Sequence, residues 1–468
     1  MAPGILSKWK SLQGCNFFHR RGAETQGNTP PRLRVSAVKN KIERLPTKNQ
    51  PSGKRISLEF LNPSTMKKLI LTISIFITLL TSYSQEKINS TEQLPILAWW
   101  GIPASETSVA RYQELRDAGI TYQFSPFPNA DEMQKALDAA AKAGIKMVVS
   151  CPELKTETEK TVRRFMNHPA VVGYHLMDEP GIKGYAELGI WARKIKSIDN
   201  KHFCYVNLFP NIADSNQLGT TSYRDYIREC ANQIPVDFLS FDFYPVYKDH
   251  LAPSWYENLE VISDEARKAN KPFWAFTAST NFDNKHLTPQ TLASMRLQVY
   301  SNLAYGAQGI QYFTYWSATS LNDPSSEDQR GAPISAAGKR SVVYDRVKQL
   351  NEELKNLSGV FMGSKVVWVR HTGKDMIPSG TVRLTKLPEP IKVLDTNGAN
   401  ALVSLLEKGD NYFLIIVNKD FLNSINLNFY GDASVKKILK DGSIVAASAY
   451  ESSMEVDAGD AVIYMFKK

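Results

Sequence analysis

"ITYQFSPFPNADEMQKALDAAAKAGIKMVVSCP", residues 120–152, decides the fold. A short apolar run (120–127) reads as a strand. Asn129 then stands where a helix needs a capping side chain, and Gly144 stands where it stops. A second apolar run (145–152) follows at once. Upstream, "SETSVARYQELRDAG" (105–119) repeats the scheme. Ser105 or Ser108 is the cap, Val109, Tyr112 and Leu115 hold helical spacing, and Gly119 ends it. Each glycine leads into the next strand, as "GIT" and "GIK".

The same unit recurs along the chain. Strand-like runs stand at 96–103, 120–127, 145–152, 171–178, 203–210, 237–246, 272–279 and 309–316, with helical stretches between them. Short apolar strands alternating with amphipathic helices imply parallel pairing. Eight units over roughly 260 residues match a (β/α)8 TIM barrel, expected over 85–358. An open doubly wound sheet is the alternative, but no Gly-rich phosphate loop follows the first strand. After "YDRVKQLNEELKNL" (344–357) the texture changes. "ALVSLLEKGDNYFLIIVNKD" reads as a hairpin turning at Lys408-Gly409-Asp410. Residues 359–468 are therefore expected to form a small all-β sandwich.

The formal net charge of +9 does not describe the main body. Residues 1–65 hold 12 Lys/Arg against 3 Asp/Glu, and Lys67 and Lys68 follow. The remainder has 42 against 44, so it carries no nucleic-acid footprint. "MKKLILTISIFITLLTSYS" (66–84) has a start-like Met66, two lysines, an apolar run and small residues at Ser82 and Ser84. That is the pattern of a secretory signal peptide, so a secreted or periplasmic location is expected. The apolar run is short for a membrane span, which needs roughly 20 residues, so no span is expected in the mature chain. Residues 1–65 read as a disordered tail or an extension ahead of the true start. Of the four cysteines, Cys15 lies in that stretch. Cys151, Cys204 and Cys230 show neither CxxC spacing nor a Cys/His metal pattern. No metal or organic cofactor is implied.

In such a barrel, chemistry sits where strands end. The fourth run, "VVGYHLMDEP" (171–180), closes on Asp178 and Glu179. The other strand ends offer Trp100, Gln123, Asn207, Asp242, Tyr244 and Trp316. Aromatic faces pack on the C–H faces of sugars, and carboxylates accept sugar hydroxyls. Cleaving a glycosidic bond needs one carboxylic acid to protonate the leaving oxygen, and a second carboxylate as nucleophile or base.

"MDEP" resembles the Asn-Glu-Pro end of the fourth strand in clan A glycoside hydrolases, with Asp178 in the Asn place. The eighth run, "FTYWSATS", is similar to the same clan, and "GAPISAAGKRSVVYDRVKQLNEEL" resembles the close of barrels related to family 42 β-galactosidases. The resemblance implies Glu179 as general acid and Trp316 as a platform beneath the sugar. It also implies Tyr244 as a partner of the second carboxylate, and an oligo- or polysaccharide as substrate. One departure matters: the clan's nucleophile is a Glu ending the seventh strand, and "PFWAFTAST" has none. Asp242 is the preferred replacement, because Ser240, Asp242 and Tyr244 alternate with Phe241 and Phe243 and so share a face. Asp283 or Asp323 could serve from a loop. Otherwise the barrel binds carbohydrate without turnover.

Plainer readings stand beside these. Glu179 could be a helix-entry carboxylate, Asp178 a cap, and Asp242 a structural acid. Trp100 and Trp316 could be core, and His175 a core histidine.

Overall fold

The computed structural model describes residues 86–88, 90, 92–280, 285–287, 289–317, 331–447 and 453–468. The stretches 1–65 and 66–84, together with Asp283 and Asp323, lie outside them. No helix of the described residues is long and apolar enough to cross a membrane.

Eight strands form one parallel sheet: β1 (Ile96–Trp99), β2 (Tyr122–Phe124), β3 (Lys146–Val149), β4 (Val171–Asp178), β5 (Phe203–Asn207), β6 (Leu239–Phe241), β7 (Phe273–Ala278) and β8 (Ile310–Phe313). Their order runs β5-β4-β3-β2-β1-β8-β7-β6, so β1 pairs with both β2 and β8. The ring closes just beyond β5, where the Leu208 N–H donates to the Ser240 carbonyl at 2.8 Å. The expected barrel is therefore present, nearly closed.

Period-2 alternation sorts the side chains into two cores. Leu97, Trp99, Phe124, Val148, Tyr205, Phe238, Trp274 and Phe276 fill the interior. Their neighbours Ile96, Ala98, Cys204, Val206, Leu239 and Phe241 face the helices. Inside, Phe238 stacks on Trp274 with centroids 4.0 Å apart. Each such ring contributes about 2–3 kcal/mol through burial. Gly173 is required here, since a Cβ would strike the Phe203 ring.

The helix starts follow the caps. Ser108 accepts from the Arg111 N–H ahead of the helix Val109–Asp117. Asn129 accepts from the N–H groups of Asp131 and Glu132, and Gly144 closes Ala130–Ala143 in the left-handed region.

Beyond the helix Val342–Asn356, nine strands follow among the described residues. Six form an antiparallel sheet: β9 (Lys365–Thr372), β11 (Ala401–Lys408), β12 (Asn411–Asn418), β14 (Lys436–Ile438), β15 (Ile444–Ala446) and β17 (Ala461–Lys467). A smaller sheet of β10 (Ile391–Asp395), β13 (Ile425–Gly431) and β16 (Met454–Val456) packs on it. The hairpin turn falls at Gly409-Asp410. The central strands of the larger sheet, β11 and β12, are buried on both sides. Val403, Leu405, Leu414 and Ile416 meet the smaller sheet, while Leu402, Leu406, Phe413 and Ile415 join the core of the barrel's helices. At that seam Arg296 pairs with Glu353 and, at 3.6 Å, with Asp460, which also holds Lys440 at 2.6 Å.

Candidate active site

The site is built on the ends of β4, β5 and β6. Asp178, last in β4, pairs in register with Asn207, last in β5. The Glu179 N–H donates to the Asn207 carbonyl at 2.8 Å. Glu179 itself has φ 49°, in the left-handed region that costs a side-chain-bearing residue on the order of 1 kcal/mol or more. The Tyr226 hydroxyl holds the next carbonyl, of Pro180, at 2.8 Å. These bonds fix the turn that carries the two acids. Asp178 is exposed, Glu179 half-buried.

The sixth strand is shorter than the run 237–246 suggests. It ends at Phe241, so Asp242 and Tyr244 lie on the loop just past it. Their alternation survives: Phe241 and Phe243 face the helices, while Tyr244 packs against the interior cluster.

A polar layer crosses the top of the barrel. The Asn207 Nδ2 donates to Asp178 Oδ1 at 3.2 Å and to Asp242 Oδ1 at 3.0 Å. Its Oδ1 accepts from the Ser240 hydroxyl at 3.0 Å. Ser240 Oγ accepts from Gln311 Nε2 at 2.8 Å, and Gln311 Oε1 accepts from the Tyr205 hydroxyl at 2.5 Å. Burial, and then the charge of Asp178, push the Asp242 carboxyl up to about 7, against the opposing hydrogen bonds from Asn207 and Tyr244. The Tyr244 phenol is held well above its ordinary value, first by burial and then by Asp242, Asp178 and Glu179. All three carboxylates therefore act on one phenol. Burial drives His175 down to about 3, so the ring is neutral; it packs on Phe124, with centroids 4.4 Å apart. Such an arrangement can hold a proton at neutral pH beside ionised carboxylates. Among the described residues, no group of three or more His, Cys, Asp or Glu is placed to hold a metal.

The other expected residues divide. Trp100 is half-buried against the interior cluster. Gln123 is fully buried and committed to structure. Its Oε1 accepts from the Ile102 N–H at 3.0 Å, and its Nε2 donates to the Ile102 carbonyl and the Tyr112 hydroxyl. It orders the first loop rather than meeting a ligand. Asn207, 2% exposed, positions acids rather than presenting itself. Trp316 is 6% exposed, belongs to the helix-side core, and has the Arg111 guanidinium over its ring at 5.0 Å. It is packed, not offered as a platform. At the end of β7, Ser279 donates to the Thr314 carbonyl at 2.9 Å and ties β7 to β8.

Phe313 is the residue that sequence reasoning missed. It ends β8, packs in the interior cluster and lies 5.1 Å from the Tyr244 ring. The signal was available: Phe313 shares parity with inward-facing Gln311, whereas Trp316 does not.

The family model for glycoside hydrolase family 42, described as beta-galactosidase, matches residues 192–357. The match takes in β5 to β8, with Asn207, Asp242 and Tyr244, and stops short of Asp178 and Glu179. None of the curated proteins matches the chain. Among solved structures, a beta-galactosidase from the psychrophilic Marinomonas ef1 is 11% identical, with TM-score 0.41, over 57% of this chain and 60% of that one. A glycoside hydrolase family 5 protein from Bacteroides vulgatus is 14% identical, with TM-score 0.47, over 82% and 93%. An endo-beta-1,4-mannanase from Thermotoga petrophila is 11% identical, with TM-score 0.37, over 82% and 93%. The chain thus folds as an eight-stranded parallel barrel with a following β-sandwich, and is similar over 192–357 to glycoside hydrolase family 42.

Proposed function

We propose that the chain is an exported glycoside hydrolase that cleaves O-glycosidic bonds of an oligo- or polysaccharide with carboxylates of the barrel mouth. The observation that carries this reading is that Asp242 and Asp178 share one donor, Asn207 Nδ2, where burial and the neighbouring charge raise the Asp242 carboxyl. A glycosidase needs one such acid beside an ionised partner. Within this reading Asp242 is the proton donor and Glu179 the second carboxylate, the reverse of the expectation from sequence. As the bond from the anomeric carbon to the leaving oxygen breaks, Asp242 passes its proton to that oxygen. Glu179 meets the positive charge growing on the sugar, directly or through an activated water. Burial, and then the like charge of Asp178, raise the Asp242 carboxyl, and Asp178 accepts a sugar hydroxyl. Trp100, Tyr244 and Phe313 supply apolar faces. Export is supported by the segment 66–84.

Release of reducing ends is measured on a panel of plant and algal polysaccharides and aryl glycosides. Wild type releases product, while Asp242→Asn and Glu179→Gln each lose at least 10²-fold in kcat and keep their fold. A carbohydrate-binding barrel without turnover is the second reading, favoured by the described end of β7, which carries Thr277, Ser279 and Thr280. Glycan binding by wild type without release from any substrate would establish that reading and remove the first.

A further inference from the structure

We propose that Tyr205, Gln311 and Ser240 are positioning residues that hold the side-chain amide of Asn207, so that its Nδ2 bridges Asp178 and Asp242. The catalytic consequence rests on the glycosidase reading; the geometry does not.

An asparagine amide can turn by half a revolution at little intrinsic cost, because its oxygen and nitrogen ends are alike in size. Turned over, Asn207 would aim a carbonyl oxygen at two carboxylates. The barrel prevents this from below. Ser240 Oγ donates to Asn207 Oδ1 at 3.0 Å. Ser240 Oγ also accepts from the Gln311 amide at 2.8 Å and lies 3.2 Å from the Tyr205 hydroxyl. Gln311 is oriented in turn by the Tyr205 hydroxyl on its Oε1. Ser240 and Gln311 are fully buried and Tyr205 is 1% exposed, so no solvent competes for these bonds. The two carboxylates call for the Nδ2 end of Asn207, and the layer beneath meets its Oδ1 end with a hydroxyl donor. The chain of bonds starts on β5 and β8, passes through β6, and ends on the acids of β4 and the β6 loop.

The charged and titratable groups around Asp242 come from every side. Asp178 and Glu179 stand at the end of β4, Tyr205 on β5, Tyr223 on the helix Tyr223–Gln233, and Tyr244 on its own loop. His175, neutral, lies in the interior below. Burial and Asp178 hold the proton on, while Asn207 pulls the other way. Removing the lock weakens that pull, so Asp242 must bind its proton more tightly.

The test follows the carboxylic-acid carbonyl stretch of Asp242 by infrared difference spectroscopy from pH 4 to 10. The band is assigned by its loss in Asp242→Asn. In wild type its midpoint is expected near 7. In Ser240→Ala it moves up by about one pH unit, and Gln311→Met moves it the same way by less. A lower melting temperature with an unmoved midpoint in both variants would mean that the layer is only structural, and would overturn the proposal. Because the band needs no turnover, the two readings separate. A moved midpoint in a protein that hydrolyses nothing upholds the lock and removes the hydrolase; turnover with an unmoved midpoint does the reverse.

Discussion

Replacing Asp178 by asparagine should lower the pH at which Asp242 gives up its proton. The two carboxylates share Asn207 Nδ2, at 3.2 and 3.0 Å. Its two N–H bonds diverge by about 120°, which puts the accepting oxygens about 5 Å apart. Two like charges at that distance repel by about 3 kcal/mol at an effective dielectric constant of about 20, or about two pKa units. Asp178 is exposed, and water screens it, so about one unit survives. The sign is fixed: removing a negative neighbour favours the charged form of Asp242. Its midpoint should fall from about 7 toward about 6. Asparagine still offers an oxygen to Asn207, so the bridge remains. The assay is kcat/KM against pH on the best substrate of the panel, paired with the Asp242 carbonyl band. The alkaline limb and the band should move down together. A limb that stays in place, or moves up, would show that Asp178 does not govern the proton and would refute the electrostatic argument.

Other outcomes are equally specific. Asp242 binds its proton more tightly in the folded chain than in the unfolded one, so its contribution to stability falls as pH rises from about 4 to about 7. Asp242→Asn should therefore melt above wild type at pH 8, by up to about 4 kcal/mol, with the curves converging at pH 4; calorimetry at both values checks it. Trp316→Ala should cost about 3–5 kcal/mol of stability with KM little changed, and a raised KM in an undamaged fold would return Trp316 to the site. Gly459→Ala should lower stability by about 2–4 kcal/mol, because φ is 65° and the new Cβ would run into the Ala293 carbonyl; an unchanged melting temperature counters this. N-terminal sequencing of the native protein should find a mature chain that starts shortly after Ser84, and a start near Met1 would refute export through 66–84.

Much of the fold was legible because it is local. Asn129 with Gly144, Ser108 with Gly119, and the runs between them each specify one strand–helix unit. Repetition of the unit leaves few ways to bury the strands. The β11–β12 hairpin was legible for the same reason. The face shared by Ser240, Asp242 and Tyr244 also held, although β6 is only three residues long. Trp316 was misplaced because aromatic character was given more weight than strand parity. Gln123 was misplaced because a polar residue at a strand end is equally suited to tying its own loop. What could not be read was the environment that raises the Asp242 carboxyl. It depends on how closely the ends of β4 and β6 approach, and on the rotamer of Asn207 between them, and neither is a property of neighbouring residues in sequence.

The central strands of the larger C-terminal sheet have no face of their own to give to water. Its strands β11 and β12 serve as inner wall for the sandwich and as outer cladding for the helix Leu292–Ala304, to whose last carbonyl the Ser404 hydroxyl is bonded at 2.7 Å. Severing the chain after Asn356 would strip that cladding and leave both fragments with an uncovered oily flank. The two parts should melt in one cooperative step, and neither should survive transplantation as a stand-alone module.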